Sequence, residues 1–280
     1  MILPTMTLPE LANELLKDAK EVMARRKDFM PKFDRIRKRR VIYPWLWEVT
    51  VQTKRRNNWY MGYYAFSKKD ASAIFPQISI YFRYANATWA AFLIQAKDRT
   101  CLLLFSPHFF ERYIERFLKT AQEEIQYPIR EYAKFFFLRN YHITPYKPET
   151  EDKVRGFCED GMFLGEWLLE DVGLVKTFLS RDELKINQYT EYYECATNWI
   201  IDDMYMSRTG CSLTTPEFDN LSDEWFSPHV WRDFLFRRKN PTWDQIFADC
   251  LTFRKEHDKE YNLCSDMLEK IRENKAGNAQ

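Results

Sequence analysis

The chain has 280 residues, 45% of them apolar and 30% charged, which is the composition of a globular protein with ample material for a buried core. Only 7 glycines occur and no Gly-x-Gly is found, so neither the dinucleotide fingerprint nor the P-loop is present; Gly-x-Ser-x-Gly and His-Glu-x-x-His are missing as well. The net charge of +1 conceals an asymmetry: residues 1–140 carry 25 Lys+Arg against 14 Asp+Glu, and residues 141–280 carry 17 against 27, so the halves are +11 and −10.

In chain order, Thr7-Leu8-Pro9-Glu10 reads as a capping box. It predicts a helix whose apolar stripe (Leu8, Leu11, Leu15, Ala19, Val22) runs to about residue 28, where Pro31 interrupts it. Alternation over Trp45–Val51, turn chemistry at Arg55–Asn58 and a second run at Trp59–Phe66 predict a hairpin. Further strands are expected at Ile78–Tyr84, Trp89–Gln95 and Thr100–Phe105, and connections this short require an antiparallel meander. Ser106-Pro107 starts a helix expected to reach about Tyr127, where Pro128 ends it, and a second helical piece is expected through Leu138. A polar linker (Asn140–Lys153), a hairpin over 154–179, a long helix from Asp182 to about Arg208 and a helical remainder from 224 complete the expectation.

His108, Arg112 and Arg116 recur at i, i+4 and i+8, within an ~80° sector of the helix that follows the meander. An imidazole beside two guanidinium groups suits RNA cleavage. The histidine moves the proton of the 2′-hydroxyl or leaving oxygen, while the arginines neutralise the transition-state phosphate. The same sector also holds Glu111 and Glu115, so a solvent-facing stripe with internal ion pairs is the plainer alternative. The densest basic stretch is Lys32, Arg35, Arg37, Lys38, Arg39 and Arg40, followed by Lys54, Arg55 and Arg56.

The string Ser106-Pro107-His108-Phe109-Phe110-Glu111-Arg112-Tyr113-Ile114-Glu115-Arg116 resembles the His-x3-Arg-x3-Arg helix of the barnase, colicin and RelE-like ribonuclease-toxin superfamily. Val175–Ser180 is similar to the sheet-edge strand that some of those proteins carry after that helix. The resemblance implies an RNA-cleaving fold with His108 as acid/base, Arg112 and Arg116 on phosphate, and Lys176 or Thr177 lining the site.

Other chemistry is sparse. The six cysteines form no Cys-x-x-Cys and only four histidines occur, so no metal site is expected. His142 and His229 lack partners at a meaningful spacing, and Asp202-Asp203 with Asp219 and Asp223 match no calcium loop.

The expected fold is α+β: an N-terminal helix, an antiparallel meander sheet, central helices and a helical C-terminal third. Residues 1–180 form the core and 181–280 a mainly helical, acidic extension. The functional expectation is an RNA-directed, metal-independent ribonuclease using His108, Arg112 and Arg116. Nucleic acid would be held by Arg37, Lys38, Arg39 and Arg40, by Lys54, Arg55 and Arg56, and by Lys176. Two alternatives stay open: a non-catalytic scaffold whose acidic C-terminal helices bind a protein partner, and nucleic-acid binding by segment 32–56 without chemistry. No cofactor is expected. The absence of a signal-like N-terminus and of any long apolar run predicts a cytoplasmic protein with no membrane partner.

Overall fold

Glu10 closes the first turn of helix α1 (Leu8–Arg37), its carboxylate accepting from the Thr7 N–H at 2.8 Å and the Thr7 hydroxyl at 2.9 Å. The computed structural model describes residues 2–185 apart from 43–44, 66–75, 97–98, 121–127, 141 and 147–151, together with 187–188, 191–192, 195–196 and 199. Five strands follow α1 in an antiparallel run: β1 (Trp45–Gln52), β2 (Asn58–Ala65), β3 (Gln77–Tyr84), β4 (Ala87–Ala96) and β5 (Arg99–Phe105). Their tight turns use left-handed backbone at Arg56 (φ 62°) and at Ala85 and Asn86 (φ 49° and 61°), which suits the right-handed twist of the joined strands.

The chain then crosses over through helices α2 (Pro107–Arg116) and α3 (Ile129–Arg139) to the far edge of the sheet. It returns as β6 (Ile143–Tyr146), β7 (Lys153–Cys158), β8 (Gly161–Leu169) and β9 (Val172–Ser180). Strand β9 pairs with β5 in parallel, giving one nine-stranded mixed sheet of order β1-β2-β3-β4-β5-β9-β8-β7-β6. A parallel pair needs a long connection, and α2 with α3 provides it.

Helices cover both faces. Leu11, Leu15, Ala19 and Val22 of α1 bury against Trp59, Met61, Ile80 and Leu104 on one face. On the other, Phe109, Phe110 and Tyr113 of α2 and Phe136 and Phe137 of α3 pack on Phe105, Phe163 and Phe178. Many of these rings meet edge to face, as with Phe105 and Phe109 at 4.9 Å between centroids.

At Gly165 the β8–β9 register slips, Leu164 pairing with Thr177 and Gly165 with Val175, so that Lys176 is left out of the ladder. A Cβ at Gly165 would collide with the Leu174 carbonyl. Gly165→Ala is therefore expected to cost ~1–3 kcal/mol through forced backbone displacement, read as a lowered urea midpoint at unchanged slope.

Several elements differ from expectation for identifiable reasons. Helix α1 runs through Pro31, although proline removes the bond to the Lys27 carbonyl, because Phe33 on the next half-turn is fully buried among Trp45, Trp47 and Tyr63. Helix α2 stops at Arg116 without glycine or proline: Lys119 adopts φ 55°, and the Thr120 N–H returns to the Ile114 carbonyl at 3.3 Å. The segment expected as a polar linker contains edge strand β6, which tolerates Pro145. Residues 154–179 belong to three strands, not one hairpin. The described residues between 187 and 199 are helical. The expected helices beyond 199, with Asp202, Asp203, Asp219, Asp223 and His229, lie outside the described residues.

Candidate functional site

The row expected to act on phosphate begins where β5 ends. The Ser106 hydroxyl accepts from the Phe109 N–H at 3.3 Å, and the Ser106 N–H donates to the Val175 carbonyl at 3.0 Å, fixing the start of α2 against β9. With Phe109, Phe110, Tyr113 and Ile114 buried, His108 and Arg112 fall on the opposite, outward side, and Arg116 lies at the boundary of the two.

Each of the three is already engaged. His108 Nδ1 lies 3.2 Å from Glu111 Oε2, Arg112 Nε donates to His108 Nε2 at 3.3 Å, and Arg112 Nη1 donates to Glu115 Oε2 at 2.5 Å. These bonds are mutually consistent with the imidazole proton on Nδ1 and with the Nε2 lone pair occupied by Arg112. Arg116 turns toward the sheet, where Nη1 donates to the Phe178 carbonyl at 2.6 Å and Nε sits 3.5 Å from Glu183 Oε1. His108 and Glu111 are 54% and 49% exposed, so their pairing adds little stability. Its effect is to offset positive charge along the row.

The eight basic residues expected on nucleic acid separate into three places. Arg37 is buried and pairs with Asp34 at 3.2 Å, while Lys38, Arg39 and Arg40 are exposed in the turn that ends α1. Lys54, Arg55 and Arg56 stand at the other end of β1, about 26 Å away at the rise of an eight-residue strand. Acid lies close by: Glu14 and Asp18 pair with the Arg55 side chain at 3.3 and 3.5 Å, and Glu21 accepts the Lys54 backbone N–H at 3.0 Å, while the Lys54 and Arg56 side chains are exposed. Lys176 pairs with Glu166 at 2.7 Å. The structure thus brings together Lys38, Arg39 and Arg40 with the exposed Lys32 and Arg35 of α1, and sets the other basic residues apart.

Aromatic rings underlie this end of α1. The Arg40 guanidinium lies 4.6 Å from the Trp45 ring centre and the Lys32 ammonium 5.7 Å from that of Trp47. Both rings stack on buried Phe33. Cations held over indole faces keep their charge outward while their stems cover apolar surface.

A different polar cluster carries no signal in local spacing. Asp160, in the β7–β8 turn, is almost fully buried and accepts from Tyr113 Oη at 2.7 Å, Arg139 Nε at 2.7 Å and Asn140 Nδ2 at 3.0 Å. Burial pushes its carboxyl up, and Arg139, Tyr113 and Asn140 pull it back only in part. The same burial, with the nearby carboxylates, pushes the Cys158 thiol up and leaves it an inert core sulfur. Beside it, the buried Glu159 carboxylate accepts from the His142 N–H at 2.8 Å and lies 3.0 Å from Nδ1, so His142 has a partner 17 residues away. On the other face of the sheet, fully buried Asp18 accepts from Asn57 Nδ2 at 2.6 Å and Trp59 Nε1 at 3.3 Å. Both carboxylates tie a hairpin turn to a helix.

Among the described residues no cluster of His, Cys, Asp and Glu could hold a metal ion, and no helix is long and apolar enough to cross a membrane. No protein-family model matches the chain, and no curated protein or solved structure matches it.

Proposed function

We propose that this chain binds nucleic acid through the C-terminal end of α1 and the turn after it, without cleaving it. The observation that supports this reading is a contrast in neutralisation. Lys32, Arg35, Lys38 and Arg39 are exposed, lie together at one end of α1 and have no carboxylate partner among the described residues, whereas His108, Arg112, Arg116, Arg55 and Lys176 all do, and the exposed Lys54 and Arg56 flank the paired Arg55 beside Glu14, Asp18 and Glu21. Unpaired cations release condensed counterions from a polyanion; paired ones must first give up an internal partner. The helix C-terminus also tolerates this concentration of positive charge, because its carbonyl dipoles point outward there.

The test is fluorescence anisotropy of a labelled 20-nucleotide RNA titrated with the full chain over a range of salt, with EDTA present. Affinity is expected to fall steeply with salt. Lys38→Ala/Arg39→Ala should flatten the log–log slope by about 1.4, the share of two phosphate contacts on a single strand. The RNA should stay intact. A flat salt response, or an unchanged slope in the double variant, removes the proposal. Cleavage in EDTA that disappears in His108→Ala would replace it with the ribonuclease reading, in which His108 must release Arg112 before Nε2 can take a proton.

A further inference from the structure

From the residues that follow the cations, and resting on the nucleic-acid reading above, we infer that the preferred ligand is an unpaired strand and not a duplex. Val41 and Ile42, directly after Arg40, are 92% and 82% exposed, the most exposed large aliphatic side chains among the described residues. In the chain they lie between the cationic turn and β1, whose first residue, Trp45, has its ring covered by the Arg40 guanidinium at 4.6 Å. Positive charge and bare apolar surface are therefore presented within a few residues of each other.

The chemistry of the two forms of nucleic acid separates them at such a surface. A duplex turns phosphates outward and hides its base faces in the stack, so Val41 and Ile42 would meet hydrated groove edges or have to unstack a step. An unpaired strand offers phosphates for Lys38 and Arg39 and, one bond path away, base faces that lose water against aliphatic side chains. An anionic bilayer also combines charge with an apolar interior. Two short side chains are a small apolar anchor, however, and the neighbouring Trp45 and Trp47 are stacked on Phe33 and do not project with them.

The experiment compares a labelled unstructured 20-mer with the same strand annealed to its complement, using the full-length protein and Val41→Ser/Ile42→Ser. Both positions are exposed, so an unchanged thermal melt by circular dichroism verifies that the variant is folded. The wild type is expected to bind the single strand more tightly. The variant should bind it about ten-fold more weakly, lose less than about two-fold on the duplex, and keep the same salt slope. Equal or tighter duplex binding, or equal loss on both forms, overturns the inference while leaving the nucleic-acid reading standing. Salt-sensitive binding to neither form overturns that reading itself. Co-flotation with phosphatidylserine vesicles that the variant abolishes, without strand binding, would reassign the surface to a membrane.

Discussion

Replacing Asp160 with alanine is expected to destabilise the folded chain by about 3–5 kcal/mol, although the residue lies in a turn. The carboxylate is the common acceptor for Tyr113, Arg139 and Asn140, so its removal leaves the buried Tyr113 phenol and the Arg139 guanidinium without this acceptor and the Asn140 amide with only the Phe136 carbonyl. Asp160→Asn keeps the shape and one acceptor oxygen and should cost less. The pH dependence follows from the direction of the shift. Burial raises the Asp160 carboxyl above its unfolded value, so the folded state holds this proton more tightly than the unfolded chain. Its contribution is fully present below the ordinary aspartate range, near ~3.9, and is lost as pH rises through the raised value. Urea titrations of Asp160→Asn against the wild type should show a penalty that shrinks as pH is raised across that window. A penalty that grows with pH would mean that the Arg139 pairing outweighs desolvation.

That network illustrates what the sequence could and could not convey. The strands β1–β5 were legible because each is bounded by turn residues and alternates on the scale of its neighbours, so local chemistry and final pairing agree. The parallel β5–β9 pair was not, because its partners are some seventy residues apart and nothing local marks a crossover. The end of α2 was hidden by Lys119, a residue with no intrinsic preference for the left-handed conformation that it adopts. At the candidate site, helical spacing placed His108, Arg112 and Arg116 on one outward row and named Glu111 and Glu115 as competitors. It could not foresee that Arg116 reaches the Phe178 carbonyl, a tertiary contact. The basic segment was legible as composition. The separation of Lys54–Arg56 from the α1 end follows from the length of β1, and their acidic neighbours come from a helix more than thirty residues earlier.

Loss of Asp18 should be nearly as severe, about 3–5 kcal/mol for Asp18→Ala, and it probes the opposite layer. Asp18 is the buried acceptor for Asn57 Nδ2 and Trp59 Nε1 and the partner of Arg55, so it clamps α1 to the β1–β2 turn. Hydrogen exchange should therefore accelerate first in that turn, where the Thr53 N–H donates to Asn57 O at 2.9 Å. Asp18 and Asp160 share no partner and lie on opposite faces of one sheet. Their milder variants, Asp18→Asn and Asp160→Asn, should thus combine additively to within about 0.5 kcal/mol if the two helical layers and the sheet unfold as a unit. A double variant with two resolved transitions would instead show that α1 can leave the sheet while the α2–α3 face persists. In that case the cationic end of α1, and with it the proposed binding surface, would be lost at lower denaturant than the aromatic core on the far side.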